Sequence, residues 1–498
     1  MIAAAERQQQ TAAGILAALA RQGAQLTQLS ADSRTVTLGC GFAAYPGEAG
    51  DGRDYLAQAI AAGAAAVLWE QRDFAWPQQW AALPNVPVAD LKNCVGEIAA
   101  VVYGKPSEKL WMIGVTGTNG KTSCAHWLAQ SLSGAGRRSA VLGTLGNGFP
   151  AALTPSPNTT PDAIVLQQAL AGYLAQGAQV AVMEVSSHGL AQGRVNGVRF
   201  DVAVLTNLTR DHLDYHGDMA SYAAAKATLF QWPGLRYAVL NLDDEFGRAL
   251  ADQLHGSSVE AVGYGMSSGR VRGSRLKFSA SGLYMRIESD WGSAQLAAPL
   301  LGGFNAYNLL ATLATLLVSG VPLCVAVQQL AAIKPVAGRM QALGGAGKPV
   351  VVVDYAHTPD ALEKTLEALR QVAQERGGLL WCVFGCGGDR DPGKRPQMGA
   401  VAQIADHILV TSDNPRSEEP AHIIAQVVAG IDKEYQAVED RATAILLAVK
   451  NAGKQDVILL AGKGHEPYQE IKGKKIPFSD ADHASLALTA RLTMMRTH

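Results

Sequence analysis

Lys121 and Thr122 close a run of three glycines, Gly114, Gly117 and Gly120, in the stretch WMIGVTGTNGKTSCAHW at 111–127. Such glycines let backbone N–H groups turn inward around phosphate oxygens, and a helix starting near Lys121 adds its dipole. Lys121 can reach terminal phosphates, and the Thr122 hydroxyl can ligate Mg2+. The spacing departs from G-x-x-x-x-G-K-[ST], because Val115 stands where the first glycine would be. The bland alternative is a glycine-rich turn with a solvated lysine. Strand, loop, Gly-Lys-Thr and helix in order favour a phosphate site. Glu184 ends the apolar run VAVME, where a carboxylate needs a cation. The block TNLTRDHLDYHGD adds His212 beside Asp211 and Asp214. Together these residues read as a metal and phosphate site. Histidine is a poor ligand for a lone Mg2+, so His212 points to Mn2+ or to a second metal position.

These residues need strands to present them. Between 110 and 244, LWMIGVTG, RSAVLGTLG, VAVMEVSS, FDVAVLTN and YAVLNLDD are short β-rich runs that end in polar or turn residues. Helical patterns separate most of them, one of them expected to start with Thr160 as cap and Pro161 as first helical residue. The alternation predicts a mostly parallel sheet covered by helices. SRLKFSASGLYMRIESDWGSAQLAAPLLG reads instead as successive hairpin strands, a small antiparallel annex. After residue 340 the alternation resumes with PVVVVDYAHT, LLWCVFGCGG, HILVTSDNP and DVILLAGKGHE, and Leu362, Leu366, Leu369 and Val372 form an apolar helical stripe. Polar and glycine-rich residues follow each strand, where doubly wound folds bind ligands. Connectors at YGKPSEKL (103–110) and IKPVAGRM (333–340) mark the boundaries.

A chain of 498 residues suggests about three domains at roughly 100–200 residues each. With 48% hydrophobic and 17% charged residues it can bury a large core. A net charge of −1 without a basic stripe argues against nucleic acid as a partner. The N-terminal MIAAAERQQQTAAGILAALARQ has no basic leader, so no signal peptide is expected. QAIAAGAAAVLW is too short to span a bilayer. Cys40, Cys94, Cys124, Cys324, Cys382 and Cys386 are scattered and complete no zinc set, so they are expected to be buried reduced thiols of a cytoplasmic protein.

The chain resembles the Mur ligases, most of all their MurE type. GVTGTNGKTS, MEVSSHGL, TNLTRDHLDYHGD, GGFNAYNLLATLA, GRM, VDYAHTPDAL, FGCGGDRDPGKRP, SDNPR and AGKGHEPYQ occur in the family's order between about 110 and 470. The likeness is weaker over 1–108, where ADSR and DGRDYLAQAI match and YPGEAG carries an extra residue. The resemblance implies an α/β protein of three domains. They would be a UDP-sugar-binding domain at 1–108, a central P-loop-type ATPase sheet at 109–337 and a Rossmann-like amino-acid-binding domain at 338–498.

It also implies an activity: an ATP-dependent ligase adding meso-diaminopimelate to UDP-MurNAc-L-Ala-D-Glu through an acyl phosphate. That step belongs to peptidoglycan precursor synthesis, and so to cell wall, shape and division. The resemblance further implies small-molecule partners and a monomeric enzyme. By the same resemblance Gly117, Thr118, Asn119, Gly120, Lys121, Thr122 and Ser123 cradle ATP, while Asn305 meets adenine, Arg339 the phosphates and Asp354 the ribose. Thr122, Glu184, His212 and a carbamylated Lys226 hold Mg2+, with Lys121, Lys226 and His212 the catalytic set. On residues alone, Lys226 in SYAAAKATLF reads as an exposed helical lysine. Ala31, Ser33, Asn158, Thr159, Thr160, Ser186, Gln192 and Arg194 are implied for the UDP-sugar peptide. Arg390, Asp413, Asn414, Pro415, Arg416, Gly462 and Glu466 are implied for diaminopimelate. The DNPR quartet marks members that add diaminopimelate rather than lysine, and Arg416 can pair bidentately with the extra carboxylate. A folylpolyglutamate synthetase or a lysine-adding relative fits DNPR and the TNLTRDHLDYHGD block less well. A nucleotide switch or motor would turn over ATP without acceptors.

Overall fold

The computed structural model describes residues 11–48, 50–279, 282–345 and 347–496, with the side chains of Ser279 and of 492–496 left aside. The expectation about a signal peptide rests partly on residues 1–10, and the extra residue in YPGEAG partly on Ala49; both lie outside this set. No helix of the described residues is long and apolar enough to cross a membrane.

Three successive stretches of chain build three main sheets. The first has four parallel strands side by side in chain order: Leu29–Ser30, Gly41–Ala44, Ala66–Glu70 and Asn85–Val88. Its two central strands are buried throughout, as apolar runs covered on both faces should be. Val95 and Ile98 of helix Leu91–Val102 share a core with Ala163 and Ile164 of the next unit. The two backbones meet at Gly96, where a Cβ would run into the carbonyl of Asn196.

The central sheet has eleven strands. Six of them lie in the spatial order Glu260–Gly265, Tyr237–Asn241, Val202–Leu205, Trp111–Thr116, Val180–Glu184, Ser139–Gly143, joined in parallel. Chain order reverses around Trp111–Thr116, so the loop after it opens into the crevice of a topological switch point. All five β-rich runs read in this region are strands. The hairpin strands Val271–Ser279, Gly282–Ser289 and Gly292–Ala298 are antiparallel as expected, but they form no separate annex. They extend the main sheet, because Leu283, Met285, Ile287 and Leu296 bury one face in the core that also holds Trp127 and Leu330. The helix expected to begin at Pro161 runs over Ala163–Ala175. Asp162 caps it, its carboxylate accepting from the N–H groups of Ile164 and Val165, and a charged acceptor at that end also meets the dipole. Cys40, Cys124, Cys382 and Cys386 are buried, whereas Cys94 is half-buried and Cys324 exposed. Cys324 departs from expectation because helix Leu323–Ala331 buries its other face, Ala326 and Leu330.

The third sheet runs Gln341–Gly344, Val350–Asp354, Val457–Ala461, Leu380–Phe384, His407–Val410, Gln436–Ala437, parallel except for its first edge. Helix Pro359–Arg376, capped by Thr358, buries Leu362, Leu366 and Leu369 on its underside. The last helix is tied to the strand ends by Arg441 and Asp480, an ion pair at 2.7 Å with neither side chain exposed. Arg441 also donates to the carbonyl of Ala461 at 2.9 Å. Arg441→Met strands a buried carboxylate, so it is expected to lower unfolding stability by roughly 3 kcal/mol, read as a shifted denaturation midpoint.

Candidate active site

Gly120 caps helix Lys121–Gly134 with φ +88°. A Cβ there would overlap the Asn308 side chain, and one on Gly117 (φ +141°) would overlap the Thr206 hydroxyl. The loop is clamped from the neighbouring strand end. The Asn119 N–H donates to Asn207 Oδ1 at 3.0 Å, and Thr206 Oγ1 and Asn207 Nδ2 both donate to the Asn119 carbonyl. Thr118 Oγ1 donates to the Thr209 carbonyl at 3.1 Å. Lys121 Nζ turns back onto the carbonyls of Gly117 and Thr118 at 2.9 and 3.0 Å. Gly120→Ala forces both an unfavourable φ and an overlap, and such overpacking is worth about 1–3 kcal/mol. If that cost falls on the nucleotide-bound form, nucleotide affinity is expected to drop about 5- to 150-fold in a titration.

Thr122 Oγ1 donates to Glu184 Oε2 at 2.8 Å. Glu184 is fully buried, and its carboxylate also accepts from the N–H and hydroxyl of Thr144, at 2.8 and 3.2 Å. Thr144 was not anticipated; its position just after strand Ser139–Gly143 is the signal that could have found it. Arg339 reaches across from the third sheet's side, with Nη2 3.3 Å from the Thr122 hydroxyl and its guanidinium 4.5 Å from the Tyr355 ring centroid.

Lys226 is 1% exposed, so the exposed helical lysine is not what forms. Its Nζ donates to the Gly117 carbonyl at 2.9 Å, the same oxygen that Lys121 uses, and lies 4.6 Å from the Tyr222 ring centroid. Burial, and then the neighbouring Lys121, hold the Lys226 amine well below the usual lysine range. Burial also lowers Lys121. His212 adopts φ +55° and lies 3.4 Å from Asp211, with its ring edge-on to that of His188 at 4.8 Å. Burial brings its imidazole down to about 4, so it is neutral near pH 7. Among the described residues no three His, Cys, Asp or Glu side chains converge to hold a metal by themselves.

Beside the loop opens a cleft of 560 Å3 lined from the central and third sheets. Asn119, Gly120, Ser123, Asn305, Arg339 and Asp354 all face it, with Phe278, Phe304 and Tyr307 giving apolar surface. Asn305 accepts from Asn308 Nδ2 at 3.0 Å and donates to the Leu301 carbonyl at 2.7 Å. The Asp354 carboxylate takes the N–H groups of Met340 and Ala356 at 2.7 and 2.8 Å, and burial raises it.

On the opposite side of Glu184, Thr160 Oγ1 donates to the Glu184 carbonyl at 2.9 Å and lies 3.1 Å from Ser186 Oγ. Arg194 donates to the Thr160 carbonyl at 3.0 Å, and Thr159 lies 3.1 Å from the Thr144 hydroxyl. The Asn158 carbonyl accepts from Ser156. Gln192 bridges to Glu48 of the first unit. Ala31 and Ser33 sit apart from this group, and the buried Ser33 hydroxyl donates to Gln58 at 3.0 Å.

The remaining residues gather at the third sheet's strand ends. Arg416, at φ +51°, is pinned by its N–H to the Glu470 carbonyl (3.0 Å) and by its carbonyl from the Lys472 N–H (2.7 Å). Its Nη1 donates to the Gly388 carbonyl at 2.7 Å, and its Nε lies 3.5 Å from Glu470. Arg390 is more open; a Cβ on Gly387 would sit between its stem and the Arg416 guanidinium. Pro415 precedes Arg416 in the turn, and Gly462, beside Asp413, donates its N–H to the Asp354 carbonyl at 3.1 Å. Asn414 Nδ2 donates to Glu466 Oε2 at 2.8 Å. Lys463, absent from the expected set although it stands inside AGKGHE, lies fully buried among Asp413, Asn414 and Glu466.

Three family models match the chain: "Mur ligase family, catalytic domain" over 25–103, "Mur ligase middle domain" over 115–316 and "Mur ligase, glutamate ligase domain" over 338–464. The chain is similar to the UDP-N-acetylmuramoyl-L-alanyl-D-glutamate–2,6-diaminopimelate ligases of Janthinobacterium sp. (strain Marseille) and Chromobacterium violaceum. It is 51% identical to the first over 481 residues (93% of this chain, 94% of the relative) and 53% identical to the second over 477 (95% and 96%). A solved structure of a ligase of that name superposes with a TM-score of 0.68 at 38% identity, covering 94% of this chain and 96% of the other. A parallel-sheet architecture, a phosphate loop of the T-G-T-N-G-K-T form and half the residues in common with full-length relatives lead to one conclusion: the chain belongs to the Mur ligase family.

Proposed function

We propose that this chain joins an amine of meso-diaminopimelate to the D-glutamyl side-chain carboxylate of UDP-MurNAc-L-Ala-D-Glu, driven by ATP, in the assembly of peptidoglycan precursors. One observation carries the reading. Asp354 lines the nucleotide cleft, while its backbone carbonyl accepts from the N–H of Gly462 in the amino-acid pocket at 3.1 Å. The nucleotide cleft and the arginine-acid pocket therefore meet at one strand end of the third sheet, as a reaction using both requires.

A carboxylate resists attack because a nucleophile adds charge to an anion. Transfer of the γ-phosphoryl group to a carboxylate oxygen makes that oxygen part of a leaving group. The amine then attacks the acyl carbon, and phosphate departs with the amide formed. Lys121 and Arg339 offset charge on the phosphoryl oxygens in a loose transition state. The oxygen donors Thr122 and Glu184, buried and already 2.8 Å apart, fit Mg2+, and His212 stands as a further ligand. When bound, the ion supplies positive charge to the crowded phosphates and carboxylates. Lys226 acts as a carbamate. Its neutral amine adds to CO2, the N–C bond forms, a proton leaves to solvent, and an anion replaces a neutral amine beside Lys121.

Asn158, Thr159, Thr160, Ser186, Gln192 and Arg194 hold the sugar peptide, whose uridine end extends toward Ala31 and Ser33. We divide the chain at 108/109 and 337/338 into sugar-, ATP- and amino-acid-binding domains, and assign a cytoplasmic monomer. The test is phosphate release from ATP with Mg2+. It should require both UDP-MurNAc-L-Ala-D-Glu and diaminopimelate. Release with lysine in place of diaminopimelate overturns the specificity, and release without either acceptor favours a nucleotide switch.

A further inference from the structure

We propose that Lys463 is a positioning residue that sets diaminopimelate selectivity by locking the Asn414 amide with an N–H toward the bound amino acid. This rests on the functional reading above. Lys463 lies between Gly462 and Gly464 in the loop after strand Val457–Ala461, and none of it is exposed. Its Nζ donates to Asn414 Oδ1 at 3.0 Å and to Glu466 Oε2 at 3.1 Å, with Asp413 at 3.8 Å. Asn414 Oδ1 takes a second donor, the N–H of Glu470, at 2.9 Å. An oxygen held by two donors cannot trade places with the amide nitrogen without setting N–H against N–H. The Asn414 nitrogen is thereby turned to Glu466 Oε2 at 2.8 Å.

What is left for a ligand is specific. Asn414 keeps a second N–H, and Glu466 Oε1 has no hydrogen bond among the described residues. Both lie in the strand-end cluster that contains Arg416. That is a donor for a carboxylate beside an acceptor for an ammonium. The far end of diaminopimelate carries one of each, and the far end of lysine carries only an ammonium. Remove the cation, and the carboxylates of Asp413 and Glu466 lose their shared counter-ion, while the Asn414 oxygen keeps the Glu470 N–H as its one donor and the amide is held less firmly. Such a pocket is more negative, and its preference for a carboxylate-bearing substrate falls.

Lys463→Met is expected to raise KM for diaminopimelate about 10- to 100-fold, the loss of hydrogen bonds to charged partners, with KM for ATP and for the UDP-sugar peptide little changed. Lys463→Gln, which keeps a donor for Asn414, should recover part of that loss and serves also if the methionine variant does not fold. In an Asn414→Ala background Lys463→Met should add little, because its action passes through that amide. An unchanged diaminopimelate KM, an equal rise for all three substrates, or full additivity with Asn414→Ala overturns the assignment. Wild-type protein that does not use diaminopimelate would instead overturn the functional reading on which this one is built.

Discussion

Lys226→Ala is expected to lower the ligation rate about 100- to 1000-fold, and acetate or formate is expected to restore part of it. Lys226 is buried, and its hydrogen bond goes to a single carbonyl oxygen, that of Gly117, which Lys121 also claims. No ion pair to a carboxylate is formed by either lysine among the described residues. Two ammonium groups crowding one oxygen without a counter-ion is an unfavourable arrangement. It is relieved if one amine is neutral, and relieved further if that amine becomes an anion. A carbamate on Lys226 would do this, and a small carboxylate diffusing into the space left by alanine would supply the same charge. Steady-state rates with and without formate are the measurement. Wild-type turnover in Lys226→Ala would remove the residue from the reaction. Loss without rescue would leave it a structural role only.

Arg416→Ala should cost about 2–5 kcal/mol in diaminopimelate kcat/KM, the range for truncating one side of a buried charge pair, while ATP binding is retained. Arg416 is held at φ +51° by two backbone hydrogen bonds, and its guanidinium is fixed by the Gly388 carbonyl and Glu470. A side chain anchored this firmly loses little entropy on meeting a carboxylate. With lysine bound, the same guanidinium is desolvated and left with one partner fewer, which is how a pocket rejects a near relative of its substrate. Kinetics with both amino acids, alongside nucleotide titration, read this out. Unchanged diaminopimelate kinetics would take Arg416 out of the pocket.

Local signals carried much of this arrangement. The β-rich runs and the Leu362–Leu366–Leu369 stripe depend on neighbours within a few residues, and they form as read. Gly117, Gly120 and Thr122 announce themselves because strand, turn and helix are contiguous in the chain. Lys226 does not. Nothing in SYAAAKATLF says that its helix packs beneath the phosphate loop, since that depends on Gly117, over a hundred residues earlier. Lys463 is hidden for the same reason: its partner Asn414 comes from a different strand end. The hairpin of 271–298 was legible as strands but not as part of the main sheet, because joining is decided by the core it meets. Thr160 looked like a helix cap, but the end of strand Val180–Glu184, 24 residues further along the chain, claims its hydroxyl, and Asp162 caps instead.

The central claim is that ATP phosphorylates the acceptor carboxylate before the amine arrives. Label the glutamyl side-chain carboxylate of UDP-MurNAc-L-Ala-D-Glu with 18O, run the reaction with ATP, Mg2+ and diaminopimelate, and weigh the inorganic phosphate by mass spectrometry. One labelled oxygen should pass into phosphate for each amide bond made. Phosphate that carries no label, while amide accumulates, would contradict the account.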